Sequence, residues 1–449
     1  MADINKNMPQ LEKRISLYGL TMIAAGSCIG SGIFRAPSET AQYLPYDAWV
    51  LFAWLLVGII MLAGALSISE LGGMYPQSGG VYVFLRHAYG DAAAFLYGWG
   101  VLTIVTSGAI AALSLVFSSY VSSVIEMSEH GKIYLSLAVI IILSVLNVFG
   151  VKVGNTLASI ITSGKLLGIG AVIIIGLVLG SETVDFSFTV GNFQSLNTTS
   201  NGFISALGLA CIGAYFSYGG FHHASYLAGE VKNAQRNLPR AMTLGMLIVI
   251  FVYVLINFSY LRLLSVEAMA GTDKVASTAI SVVWKGGGLF IACLIALSTL
   301  GTISIYTMSA PRLYFALAND GLFFKKLATI HPTYKTPANA ILLQCAIACI
   351  LLLWWQTFAK AVDYIVFLDY IFMGMAVYAV VVLRKKFPNA IRPYKTLWYP
   401  AVPLLFVIFT GYVLINSMIE KPEIATVCTA FMAVGFVVYY FFKMQRKVT

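Results

Sequence analysis

The sequence predicts an all-α, polytopic membrane protein with twelve transmembrane helices. Three observations point there. Of the 449 residues, 59% are apolar and 10% charged, whereas soluble domains average about 45–50% and about 25%. A soluble surface needs far more charge than this. The chain divides into twelve charge-poor runs, each on the scale of the roughly 20 residues that cross a bilayer. Lys and Arg are also concentrated in one set of connections. A soluble enzyme, a disulfide-stapled secreted scaffold and a disordered chain are excluded.

In chain order the runs cover 15–34, 48–69, 92–125, 133–151, 153–181, 203–229, 241–261, 286–311, 336–359, 364–383, 396–419 and 424–442. Lys165 interrupts the fifth and Asp369 the tenth. The runs are continuously apolar, whereas strands of a membrane barrel alternate over about 10 residues. The first run shows no small-residue cleavage site and is read as a retained helix. Twelve spans put both termini on one side. That side carries twenty Lys and Arg and the other side six, with Arg35 and Lys165 left within the membrane. The bias predicts cytoplasmic termini in a multi-pass protein of the plasma (cytoplasmic) membrane. It also accounts for the net charge of +10 without a nucleic-acid partner. The longest connections, 70–91, 182–202 and 262–285, leave no room for a soluble domain. The phosphate-binding GxxxxGK[ST] and zinc-binding HExxH patterns are absent, so neither an enzyme nor a cofactor or metal site is expected. The triplet Asn197-Thr198-Thr199 falls on the outer side, where such sequons arise often by chance. All six cysteines sit in apolar stretches with no CxxC pair. All but Cys28 read as packing residues.

Glycine frees backbone groups within a helix, and in a bilayer those groups need a partner or a cavity. Two runs concentrate it at mid-span: GSCIGSGIF at 26–34 in the first span and FSYGGF at 216–221 in the sixth. Close packing through small residues is one reading, and Gly26 and Gly30 have the spacing for it. Position favours another. Spans 1 and 6 open two successive groups of five, and inverted repeats place broken helices in corresponding positions around a substrate. Freed N–H groups at a half-helix start attract a carboxylate, and freed carbonyls at a half-helix end accept an ammonium. A zwitterion satisfies both, which points to an amino acid.

At these residues the chain resembles the amino acid–polyamine–organocation (APC) superfamily, in its L-type amino acid transporter branch, whose bacterial members are related to the light subunits of heteromeric transporters. GSCIGSGIF is similar to the first-helix motif and FSYGGF to the sixth-helix motif. Glu70-Leu71, PQSGGVY at 76–82, GEVKN at 229–233, RNLPR at 236–240 and RPYK at 392–395 resemble the family in the same order. The resemblance implies a LeuT-like 5+5 inverted repeat plus two accessory helices. That divides the chain into a cytoplasmic N-terminus (1–14), repeats at 15–181 and 203–384, accessory helices at 396–442 and a cytoplasmic C-terminus (443–449). It also implies that amides around Gly30, Ser31 and Gly32 hold the substrate carboxylate, that carbonyls of Cys28, Phe216 and Gly219 hold its amino group, and that Ser217 lies in the same site. Phe216 takes the place of an aromatic gate, and Gly219 and Gly220 leave room for a side chain. Light subunits join an ancillary glycoprotein through a cysteine between spans three and four. The segment 126–132 has none, so no disulfide-linked subunit is expected.

A lysine in mid-membrane is a functional residue by default, and the family branch carries one in this helix. A fixed ammonium at Lys165 could replace the cation that sodium-coupled relatives of the fold bind there, giving sodium-independent exchange. A lysine that loads and releases a proton would instead give proton symport, with Lys165 again the coupling residue. Arg35 departs from the family, where an uncharged residue is usual; an i,i+4 pair with Glu39 is the plain reading and a contact tuning access the alternative. Asp369 is expected to pair with a neighbouring helix, His222 and His223 to pack or line, and Glu70 and Glu230 to close the inner side. The sequence is thus read as an antiporter of neutral L-amino acids, with proton-coupled symport as the alternative and a non-transporting amino acid receptor more remote.

Overall fold

The computed structural model describes residues 11–188, 202–355 and 358–448. The sequon at 197–199 lies outside them. The helices are α1 (Leu17–Cys28), α2 (Gly32–Tyr43), α3 (Asp47–Met74), α4 (Val81–Tyr89), α5 (Asp91–Gly100), α6 (Thr106–Val121), α7 (Glu129–Val148), α8 (Val151–Leu179), α9 (Phe203–Tyr218) and α10 (His223–Tyr226). They continue as α11 (Ala234–Leu263), α12 (Val266–Ala270), α13 (Val275–Val283), α14 (Gly287–Ser309), α15 (Pro311–Asn319), α16 (Ala338–Trp355), α17 (Phe358–Lys386), α18 (Ala401–Glu420) and α19 (Pro422–Val448). No strand forms among the described residues; one isolated parallel bridge joins Ile15 to Val231.

Eleven segments among the described residues are long and apolar enough to span a membrane, and Ala338–Trp354 is a shorter apolar helix. The first span is a correction: it runs to Tyr43 rather than residue 34, as α1 and α2 in sequence. Arg35 and Glu39 are half-buried in α2 instead of ending it, so a charge-free criterion stops too soon. The 70–91 connection is likewise not plain loop, because α4 folds within it. Gly79 and Gly80 (φ 106° and 46°) turn the chain into α4, and a Cβ on Gly80 would stand 2.1 Å from the Ser225 hydroxyl. The PQSGGVY motif therefore docks tightly against α10.

Burial orders the bundle. In its most apolar window Leu17–Tyr43 is 89% buried, against 28% for Pro422–Gln445. The broken first span thus occupies the centre, with α8, α11 and α14 against α1, and α9 and α12 against α2. Outward-facing side chains such as Ile142, Ile160, Leu167, Phe251, Ile350 and Ile408 are exposed, an apolar girdle that only lipid suits. Between α5 and α6 the chain makes a π-helical turn, Val101–Val105.

Ile15 pairs with the Val231 strand-like segment, and Phe442 near the other described end packs on Phe323 at 5.2 Å, so both ends share one face. That face is closed by ion pairs. Arg312 meets Glu230 at 2.6 Å with both side chains fully buried, and Ile15 N–H donates to the Glu230 carbonyl at 2.9 Å. Glu70 receives Arg384 at 2.6 Å and the Thr396 N–H at 2.7 Å, with Arg392 at 3.2 Å. Arg86 links Asp91 (2.7 Å) to Asp320 (2.5 Å). Breaking one side of a dry pair leaves a lone charge, which costs about 3–5 kcal/mol, whereas replacing both sides is often neutral. Arg312→Met is therefore expected to lower the melting temperature in detergent sharply, and Glu230→Leu/Arg312→Met to recover most of the loss. Equal loss in both variants would contradict this.

Candidate binding site at the two helix breaks

The first span breaks at Ile29–Ser31. The Gly30 N–H folds back to the Cys28 carbonyl at 2.9 Å, and Ser31 enters α2 at φ −82° without a side-chain cap. Among the described residues the N–H groups of Ser31, Gly32 and Ile33 make no hydrogen bond, and the buried Ser31 hydroxyl has no partner. This is the donor-rich start of a helix, where anions settle.

The carbonyls freed at the same break are all met from other helices. Lys165 Nζ, on α8, donates to the carbonyls of Gly26 (2.6 Å) and Ile29 (2.5 Å) and lies 3.3 Å from Thr302 Oγ1. Ser298 donates to Ile29 and Gly30, both at 3.0 Å, and Tyr306 to Ser27 at 3.2 Å. Tyr253 sits within reach of both breaks, 2.9 Å from the Cys28 carbonyl and 3.0 Å from that of Ser217. Sequence reasoning missed these four partners. Ser298, Thr302 and Tyr306 fall four residues apart, so the signal was a polar stripe along one face of an apolar span.

The second break follows Tyr218. Gly219 is extended (ψ 150°), Gly220 has φ 117°, and α10 resumes at His223. The two breaks touch. The Ser27 hydroxyl donates to the Gly220 carbonyl at 2.9 Å. A Cβ on Gly32 would stand 2.3 Å from Ser217 Oγ, and one on Gly220 2.6 Å from the Ser27 carbonyl oxygen.

Cys28, Gly30, Ser31, Gly32 and Ser217 are thus gathered at one crossing, with Lys165 beside it. Phe216 and Gly219 line a neighbouring cavity of about 40 Å³, together with Val105, Thr106, Ala109, Tyr215, Gly220, His222, His223, Tyr306, Ile365, Val366 and Asp369. Ser31 opens instead to a hollow of about 350 Å³ on the face away from the chain ends, beside Arg35, Tyr120, Lys132 and Asp273. The two hollows share no lining residue. Of the expected ammonium acceptors, the Cys28 carbonyl already receives two donors and that of Phe216 receives the Gly219 N–H at 3.2 Å. The Gly219 carbonyl accepts none among the described residues. Carbonyls have two lone pairs, so the two donors on Cys28 fill its capacity. Asp369 does meet a neighbouring helix, through the Tyr215 hydroxyl at 3.2 Å. His223 holds Ser309 at 2.6 Å and stacks on Tyr306 at 4.1 Å.

Gly220→Ala tests the crossing. A side chain there meets both the left-handed backbone and the Ser27 carbonyl, which together cost about 2 kcal/mol or more. Gly288, with nothing within 4 Å of its would-be Cβ, serves as control. Thermal unfolding is expected to fall by several degrees for Gly220→Ala and to hold or rise for Gly288→Ala; parallel behaviour would refute the close approach.

Comparison with known proteins agrees across the whole bundle. Residues 15–442 match the amino acid permease family model. The chain is 33% identical over 440 residues to the serine/threonine exchanger SteT of Bacillus subtilis (strain 168), covering 97% of this chain and 98% of that one. It is 30% identical to the large neutral amino acids transporter small subunit 2 of Mus musculus, covering 96% and 81%. It is 29% identical to the mouse Asc-type amino acid transporter 1, covering 96% and 81%.

Proposed function

The chain belongs to the amino acid permease family, and on that premise we propose that it exchanges neutral L-amino acids across the cell membrane, independently of sodium, by alternating access. The observation that carries the reading is the meeting of two broken helices at one crossing. Three unengaged N–H groups, of Ser31, Gly32 and Ile33, begin α2 there, and the unengaged Gly219 carbonyl ends α9. The N–H groups would hold the substrate carboxylate. Carbonyls of Gly219 and Phe216 would hold its ammonium, that of Cys28 joining them once the Tyr253 hydroxyl lets go, with Ser217 packed against Gly32. Such a site recognises the zwitterionic backbone with peptide dipoles alone. Phe216, at the rim of the cavity, takes the gate.

Lys165 supports sodium independence. Its three oxygen neighbours, the Gly26 and Ile29 carbonyls and the Thr302 hydroxyl, match the three protons of an ammonium. The charge thus stands where a bound cation would otherwise tie α1 to α8 and α14. Exchange follows if the empty carrier crosses slowly and the substrate joins the two breaks. The closed ion-paired face and the 350 Å³ hollow opposite support assignment of this conformation as closed to one side. In our reading the closed side is cytoplasmic and carries both termini. The repeats at 15–181 and 203–384 correspond through their matching breaks, with 396–442 accessory. The cysteine-free 126–132 segment supports action without a disulfide-linked subunit.

Counterflow tests the reading. Proteoliposomes preloaded with unlabelled serine or alanine, in sodium-free buffer, are expected to take up labelled substrate at least about tenfold faster than empty ones. Equal uptake would reject exchange, and uptake into empty vesicles driven by an inward pH gradient would replace it with proton symport. Lys165→Met removes the charge that satisfies the Gly26 and Ile29 carbonyls. It is expected to cut counterflow by about 100-fold or more, on the scale of losing two charge-assisted hydrogen bonds.

A further inference from the structure

Backbone recognition leaves the cavity beside Gly219 with a polar group it does not use. Asp369 lies in α17 and lines that cavity. Among the described residues its one hydrogen bond comes from the Tyr215 hydroxyl at 3.2 Å, and no cationic side chain pairs with it. A carboxyl offers about four acceptor positions, and a carboxyl kept in mid-membrane is costly unless it has a task. Of the other polar groups nearby, His223, Tyr306 and Tyr226 are committed to the protein. His223 is held by Ser309 and stacks on Tyr306. Tyr306 bonds the Ser27 carbonyl, and Tyr226 bonds Tyr97. His222 makes ring contacts only, with Phe221, His223 and Tyr226. In the remaining wall Val105, Ala109, Ile365 and Val366 are aliphatic, Phe216 is aromatic and Thr106 adds a hydroxyl. At about 40 Å³ the space suits a hydroxyl with one or two carbons and not a long cationic chain.

We propose that Asp369, positioned by Tyr215, accepts a hydrogen bond from a hydroxyl on the substrate's side chain, so that the protein selects small β-hydroxy amino acids over their deoxy counterparts. The inference rests on the exchange reading and names the substrate class of the same site. A buried acceptor built for a donor rejects an analogue without one, because the acceptor is then left unpaired. The aliphatic part of the wall receives a γ-methyl, so threonine fits as serine does.

The test is competition for labelled threonine by unlabelled serine, alanine, threonine and 2-aminobutyrate, in counterflow. In the unaltered protein, threonine is expected to compete about 10- to 100-fold more strongly than 2-aminobutyrate, the range of one hydrogen bond to a carboxylate. Asp369→Leu is expected to bring that ratio near one whatever the absolute rate. Asp369→Asn, which keeps one carbonyl acceptor, is expected to hold an intermediate ratio. Tyr215→Phe, read if Asp369→Leu fails to fold, is expected to reduce the ratio through loss of positioning. A ratio near one in the unaltered protein, or a ratio unmoved by these changes, overturns the proposal. Absence of counterflow for every amino acid would sink the exchange reading instead. Competition for threonine binding to the purified protein in detergent would then still read the ratio.

Discussion

Every unpaired backbone dipole inside the bundle must find a partner, because hydrocarbon offers none. That constraint organises this protein around the kink at Ile29–Ser31. Three helices lend side chains to one interrupted turn: α8 gives Lys165, α11 gives Tyr253, and α14 gives Ser298, Thr302 and Tyr306. They quench the carbonyls and leave the amides. The turn is therefore asymmetric, saturated with donors on its carbonyl side and hungry for an acceptor on the other. In the proposed site a substrate carboxylate would meet that need without an arginine or lysine from the protein.

The same economy explains the distribution of charge. Ionic pairs gather at the face that carries the chain ends, where Glu70, Glu230, Arg86, Arg312, Arg384 and Arg392 lock adjoining helices. Deep in the bundle, Lys165 and Asp369 stand apart from these pairs. Lys165 serves the peptide backbone of the first span, and Asp369 serves the cavity. In the alternating-access reading, motion between states would break the pairs at that face and could leave the Lys165 cradle whole if α1 moves about it.

Much of this was legible in the order of residues. The spans follow from runs without charge, the kinks from GSCIGSGIF and FSYGGF, and the special place of Lys165 from its depth. What escaped has a common cause: a linear pattern shows which face a residue shares but not which helix it confronts. Ser298, Thr302 and Tyr306 form a visible stripe, and only the fold reveals that it meets Gly26–Gly30. Arg35 and Glu39 end a hydropathy run yet lie half-buried within α2. The division of the expected site into two hollows depends on packing among Phe216, Tyr306 and their neighbours, which no spacing encodes. The family, its broken helices and its transport role emerged early, whereas the polar subsite at Asp369 needed coordinates.

The widened turn at Val101–Val105 carries an evolutionary reading. A π-turn is one residue more than an α-helix needs, and each residue rotates a helix by about 100°. The half-helix that follows is thereby phased about a quarter of a revolution away from the half before it. Thr106 and Ala109, in that following half, line the cavity. A single-codon deletion anywhere in 101–105 would reset the phase. It would swing a different set of side chains inward, remodelling the chamber without touching either broken helix.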